Sequence, residues 1–299
     1  MNKKFTSATV AALLAASMAA CSGTSEPETH PVASTTAPTE TTLEVTQPAI
    51  VFEETVLVDN EHCTFKITAI EENNLLGYTL KAFLENKTEK ELMFSLSNVS
   101  VNGFMCDPLW ASTVSAGMKA NENIRFSESD FLSNHISQVT EIQFALDVYD
   151  SNDWNAAHLV SETFTLYPMG EEAVQSYARQ PLDTDILLFD DSNCSMIVTG
   201  FEPDSTWGYT VNVYLENKTD KTLMFTVGDA AVNGFMCDPI WAKTVAPGKR
   251  SNTAINWFQS ALEENGITQV ESISLPISVY DANDWMAEHL IDETFTLNP

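Results

Sequence analysis

The sequence predicts an all-β protein built of two tandem β-sandwich domains, each with a short helical element. Three observations lead there: a self-match at an offset of 131 residues, a hydrophobic period of two, and turn residues at short intervals. Shifted by 131, residues 55–168 fall on 186–299 without a gap, and 53 of the 114 aligned pairs are identical. A unit that long buries a core of its own, whereas solenoid repeats are much shorter and rely on their neighbours. The organisation read from this is a targeting segment at 1–20, a tether at 21–48, a first domain at 49–168, a connector at 169–181 and a second domain at 182–299.

Alternation identifies the strands. Cys63 shares parity with Phe65 and Ile67, and Cys194 with Met196 and Val198, so all six are expected to point inward. Tyr78, Leu80, Ala82 and Leu84 alternate with Thr79, Lys81, Phe83 and Glu85, and Tyr209, Val211, Val213 and Leu215 follow the same parity. Ile142, Phe144, Leu146 and Val148 repeat it, as do Ile273, Leu275, Ile277 and Val279. Asn86-Lys87-Thr88, Asn102-Gly103, Gly117 and Asp150-Ser151-Asn152-Asp153 mark turns, with counterparts in the second copy. About seven or eight short strands per copy suit a sandwich. Short helices are expected at 128–134 and 260–265, where Asn265-Gly266 is a stop signal, and another in the connector at 169–180.

The order of a strand, Glu-Asn-Lys-Thr (85–88, 216–219), a strand, Val-Asn-Gly (101–103, 232–234), a strand and then Val-Ala-Pro-Gly-Lys (245–249) is distinctive. It resembles the telokin-like, immunoglobulin-like domains of surface lipoproteins of Gram-positive bacteria. The resemblance covers most of each copy and implies an immunoglobulin-like sandwich. It implies no activity, since many such domains have no assigned function.

The N-terminal segment carries Lys3 and Lys4 and then an apolar run at 8–20, too short for the ~20 residues of a transmembrane helix. Met18-Ala19-Ala20-Cys21 resembles the lipobox of bacterial lipoproteins. That resemblance implies lipidation of Cys21 and a place on the extracytoplasmic face of the cell membrane; ordinary cleavage near Ala20 is the other reading. Residues 22–48 are Ser, Thr, Pro and Glu with few large apolar groups, a composition that does not offset its ordering entropy. A coil of that length reaches about 30 Å. With 42 acidic against 14 basic residues and a net charge of −28, the chain repels phosphate backbones, so nucleic acid is not an expected partner. The expected partners are the membrane, through the anchor, and an extracellular protein or glycan.

Candidate chemistry is sparse. No Gly-x-Ser-x-Gly, Ser-x-x-Lys or Cys-His signature occurs, and only His158 and His289 recur among the five histidines. Cys63, Cys106, Cys194 and Cys237 form two equivalent pairs, to be read as disulfides in an exported protein or as buried thiols. Trp110, Trp154, Trp241 and Trp285 are candidate ligand-contact aromatics; filling the core is the alternative. Asp150, Asn152 and Asp153, with Asp281, Asn283 and Asp284, open like a calcium loop but lack its Gly at the sixth position and Glu at the twelfth. Weak calcium binding is the hypothesis there, a hydrogen-bonded turn the plainer reading, and no other cofactor is expected. The function read from the sequence is a non-catalytic, membrane-anchored binding or scaffold module. A glycan-binding or glycan-processing surface protein and a calcium-stabilised spacer are the alternatives.

Overall fold

The alternating segments form strands with the expected faces inward. The computed structural model describes residues 52–72, 77–153, 155–206, 208–239, 241–284 and 286–299. The targeting segment, Cys21, the tether, Trp154 and Trp285 lie outside the described residues. Among the described residues the protein is all-β, with several sheets and two short α-helices.

In the first repeat the strands are β1 (Thr55–Asp59), β2 (Cys63–Glu71), β3 (Thr79–Asn86), β4 (Leu92–Val101), β5 (Phe104–Met105), β6 (Ala111–Val114) and β7 (Lys119–Arg125). Helix α1 (Glu128–Ser133), β8 (Ile142–Asp150) and β9 (Val160–Leu166) complete it. The second repeat contains β10 (Ile186–Asp190), β11 (Cys194–Ser205), β12 (Gly208–Asn217), β13 (Leu223–Val227), β14 (Ala231–Val232), β15 (Phe235–Met236) and β16 (Ala242–Val245). It ends with β17 (Arg250–Phe258), α2 (Gln259–Glu264), β18 (Ile273–Asp281) and β19 (Ile291–Leu297).

Strands β1-β2-β3-β7 form one sheet, which packs across a core against β5-β4-β8-β9, with β6 paired to β4. Phe65 on β2 lies 6.4 Å from Phe94 on β4 and 6.5 Å from Phe144 on β8, ring centre to ring centre, so the two layers meet through aromatic side chains. Burying each such ring stabilises by about 1.5–3 kcal/mol. The second repeat packs β10-β11-β12-β17 against β15-β14-β18-β13-β16 around Met196, Val211, Phe225, Trp257 and Ile277. Strand β5 also pairs with β17, in parallel, Phe104 opposite Arg250. One nine-stranded sheet therefore runs through both repeats.

The turns follow their residues. Asn102 and Gly103 have φ of 51° and 82°, and Asn233 and Gly234 of 50° and 83°. Two successive positive values are what a tight hairpin of Asn-Gly type requires. Gly77 and Gly208 open the shared Gly-Tyr-Thr segment at φ of 86° and 122°, and a Cβ there would run into the backbone of Phe126 or of Trp257 and Gln259. The expected helices are present at six residues each, and each ends on an asparagine whose Nδ2 donates back to a helix carbonyl: Asn134 to Asp130 and Asn265 to Ala261, both at 2.9 Å. In the connector the helix is only a single 3-10 turn, Glu171–Ala173; the rest runs irregularly past Pro181.

Among the described residues Cys63, Cys106, Cys194 and Cys237 are buried and free, which matches the thiol reading of the two. Each packs among core side chains, and Cys106 Sγ lies 3.6 Å from Asn134 Nδ2. Burial pushes the Cys63 thiol up to about 11 and the Cys106 and Cys194 thiols up to about 12.

Candidate binding cleft at the repeat junction

Where β5 meets β17, the end of α1, the connector and the outer face of the second repeat's sheet enclose a cleft of about 670 Å³. Period two puts Asn252, Ala254 and Asn256 of β17 on that outer face, with Asn212 of β12 alongside. Asparagines and Thr199 give this wall both donors and acceptors. Asp130, Asn134 and His135, from the end of α1, face it across the cleft.

The connector supplies a third side and the strongest electrostatic feature. Arg179 makes a two-pronged bond to Asp185 (2.6 and 2.7 Å), and its guanidinium lies 5.1 Å from the centre of the Tyr214 ring. The Arg179 hydrogen bonds hold the Asp185 carboxyl below the usual carboxylate range. Asp130 is shifted the other way: burial raises its carboxyl, while Lys243 across the cleft acts to lower it. Arg179 and Lys243 thus bring two of the chain's 14 basic groups to one opening on a strongly acidic protein.

Asn134 joins the walls. Its Nδ2 donates to the Met105 carbonyl (3.3 Å) as well as to Asp130, and its Oδ1 accepts the Asn252 amide (2.9 Å). Lys249 pairs with Glu141 at 3.3 Å, and the Tyr177 ring meets Phe104 edge-on at 4.8 Å with Arg250 5.3 Å from its centre. These contacts fix the shape of the cleft without a ligand. The arrangement brings together hydrogen-bonding amides, Lys243, an Arg179 already paired with Asp185, and the Asp130 and Glu202 carboxylates.

None of the described candidates from the sequence lines this cleft. Trp110 is half-buried against the first core, 6.2 Å from Phe65, and Trp241 is half-buried against the second. The acidic turns are self-contained. Asp150 accepts from Lys90 (2.8 Å) and the Asn152 amide (3.1 Å), and Asp281 from Lys221 (2.9 Å) and the Asn283 amide (3.0 Å). Asp153 and Asp284 each accept an amide two residues on. Among the described residues no three His, Cys, Asp or Glu side chains converge as a metal site. His158 stacks on Tyr149 and bonds Asp147 (2.9 Å), and His289 stacks on Tyr280, which is a strand-edge contact in both repeats. Tyr177, Arg179 and Lys243 drew no notice in the sequence because they belong to no motif. A signal did exist in Asn134 and Asn252, which persist in both copies at positions where strand and helix ends otherwise vary.

No family model matches the chain. No curated protein matches it either. Among solved structures it is similar to the YadV chaperone, at 14% identity and TM-score 0.24, over 73% of this chain and 92% of that one. It is also similar to the exo-chitosanase CsxA of Amycolatopsis orientalis, at 12% identity and TM-score 0.22, over 77% of this chain and 26% of that one.

Proposed function

We propose that the chain is a membrane-anchored, extracytoplasmic binding or scaffold module of two tandem immunoglobulin-like domains, without catalytic activity, and that the junction cleft is its ligand site. The observation that carries the reading is the cleft itself: walls from both repeats, an amide-rich strand face, and Arg179 and Lys243 at one opening. A duplicated pair of sandwiches has its natural concave site at the junction. The chemistry suits a polar ligand rich in hydroxyl, amide or carboxylate groups, as in a glycan or a peptide. Lipidation at Cys21 and the tether at 21–48 would hold the cleft off the membrane surface.

The test is a glycan and peptide array with the wild type, Lys243→Glu and Asn212→Ala. Binding that falls roughly tenfold or more in the two cleft variants supports the site. Binding that survives both changes, or that is lost only on Trp110→Ala, places the ligand elsewhere. An array blank for both ligand classes leaves the scaffold role alone.

A further inference from the structure

Identical hairpins meet different surroundings in the two repeats. Asn-Gly-Phe-Met occurs at 102–105 and at 233–236. Phe104 and Met105 are 4% and 5% exposed, whereas Phe235 and Met236 are 50% and 63% exposed. The first hairpin is covered because the second repeat provides a seat for it. There the Arg250 amide donates to the Gly103 carbonyl (2.9 Å), the Asn252 amide to Asn134 Oδ1 (2.9 Å) and the Ala246 amide to Met105 Sδ (3.4 Å).

The first repeat carries the matching seat, and among the described residues no strand pairs with it. Strand β7 is the counterpart of β17 and ends its sheet. Its register on β3, Glu85 opposite Lys119 and Phe83 opposite Asn121, reproduces that of β17 on β12, Glu216 opposite Arg250 and Tyr214 opposite Asn252. The Lys119 and Asn121 amides therefore point away from β3, as the Arg250 and Asn252 amides point away from β12. The Lys119–Glu85 pair (3.1 Å) likewise repeats Arg250–Glu216 (3.0 Å). On the hairpin side, Asn265 Nδ2 donates to the Ala261 carbonyl as Asn134 Nδ2 does to the Asp130 carbonyl, so the two helix ends are built alike.

We propose that the Phe235–Met236 hairpin docks on the β7 edge of a second copy of this chain, repeating between molecules the contact the chain makes within itself. The Gly234 carbonyl accepts the Lys119 amide, Asn265 Oδ1 the Asn121 amide, and Met236 Sδ the Ser115 amide. Met118, 58% exposed, stands where the internal seat has Lys249, and Ser272 where the first repeat has Glu141, so apolar surface replaces an ion pair. The two surfaces are different patches, so the contact is heterologous and copies add head to tail. An open edge strand accepts many extended chains. A second copy is favoured because the fitting hairpin lies in this same sequence and its complement is already formed once inside it. The net charge of −28 opposes approach, so association strengthens as salt screens it. The proposal stands apart from ligand binding in the cleft.

Sedimentation velocity on the full chain with Cys21→Ala, from micromolar to millimolar concentration at low and high salt, tests it. The sedimentation coefficient should climb with concentration, more steeply at high salt. Phe235→Ser/Met236→Ser removes the exposed hairpin face, and Asn121→Pro removes a seat amide that β3 does not use; either should weaken association roughly tenfold or more. Met118→Glu is a second seat variant should the proline disturb folding. Mixing a hairpin variant with a seat variant should give a 1:1 complex that grows no further, because one intact hairpin meets one intact seat. A wild type that stays monomeric at millimolar concentration and high salt overturns the proposal. So does undiminished association of the hairpin variant, or a monomeric wild type whose β7 edge instead takes an added β-strand peptide.

Discussion

Replacing Asn86 with alanine measures what the shared Glu-Asn-Lys-Thr motif contributes. Asn86 is 1% exposed, and its Nδ2 donates to the Lys90 and Val114 carbonyls (2.7 and 2.8 Å). Its Oδ1 accepts the Thr88 amide and hydroxyl (2.9 and 2.8 Å). Asn217 makes the equivalent bonds to Lys221, Val245 and Thr219. One side chain thus ties the β3–β4 turn to the end of β6. Alanine removes all four bonds. Water replaces those to Thr88 and Lys90 at the rim, whereas the buried Val114 carbonyl keeps its partner Leu92 across the β4–β6 ladder but loses its second donor where water does not reach. Each lost bond costs about 0.5–1.5 kcal/mol net, so the four together put Asn86→Ala at about 3 kcal/mol. For a unit of this size that is a fall in Tm of about 6–12 °C. Urea unfolding and calorimetry read both quantities, and Asn217→Ala should match. Asn86→Asp keeps the acceptor but buries a charge, so it should be at least as damaging at neutral pH and recover as pH falls. A loss below about 1 kcal/mol for both alanine variants would refute the reasoning and credit the turn to its backbone alone.

Other outcomes follow from the same geometry. Cys63, Cys106, Cys194 and Cys237 should resist a thiol-alkylating reagent while folded and all react on unfolding without reductant; resistance after unfolding would mean that they are bridged. Burial raises the Asp130 carboxyl, so protonation favours the folded state and stability is lost as pH rises from the unfolded value through the higher folded one. Asp130→Asn should therefore raise Tm at neutral pH and change little in acid; equal shifts at both would exclude this cause. Asp185 runs oppositely: its depressed carboxyl contributes stability above the unfolded value, lost as pH falls through the folded one, and Arg179→Met should flatten that acid limb. If calcium enters the acidic turns it must displace Lys90 and Lys221 from Asp150 and Asp281. Lys90→Met/Lys221→Met should then gain a calcium-specific rise in Tm, and equal responses to calcium and magnesium in both proteins rule the site out.

What was legible in the sequence was whatever a residue's near neighbours decide. Parity placed Cys63, Phe65 and Ile67 and their counterparts inward, and all are fully buried. Asn-Gly marked both tight turns, and Asn265-Gly266 marked a helix end. The Trp residues were harder, because a large ring beside Pro fits a loop or a core equally well until the opposite sheet, here Phe65 against Trp110, is in place. The fate of Phe104-Met105 and Phe235-Met236 was beyond any local reading, since identical segments end buried and exposed. What separates them is Arg250 and Ala246, more than 140 residues from the first hairpin. The cleft was hidden for the same reason: Asn134, Arg179 and Asn252 converge only after the repeats dock.

The pairing of β5 with β17 also sets how the molecule would carry a load. Pulled apart through its two repeats, the chain transmits force across one registered backbone pair, Phe104 with Arg250, supported by the Asn134 bond, the Lys249–Glu141 bridge and the Tyr177 ring. Inside each repeat the ladders are far longer, as in β2 with β3 or β12 with β17. On ladder length the junction is the weakest element in series, and it is expected to open before the longer ladders. Its release frees the connector to lengthen, at up to about 3.3–3.6 Å per residue. A tug then becomes extension, and the cleft is dismantled before the long ladders of either repeat give way.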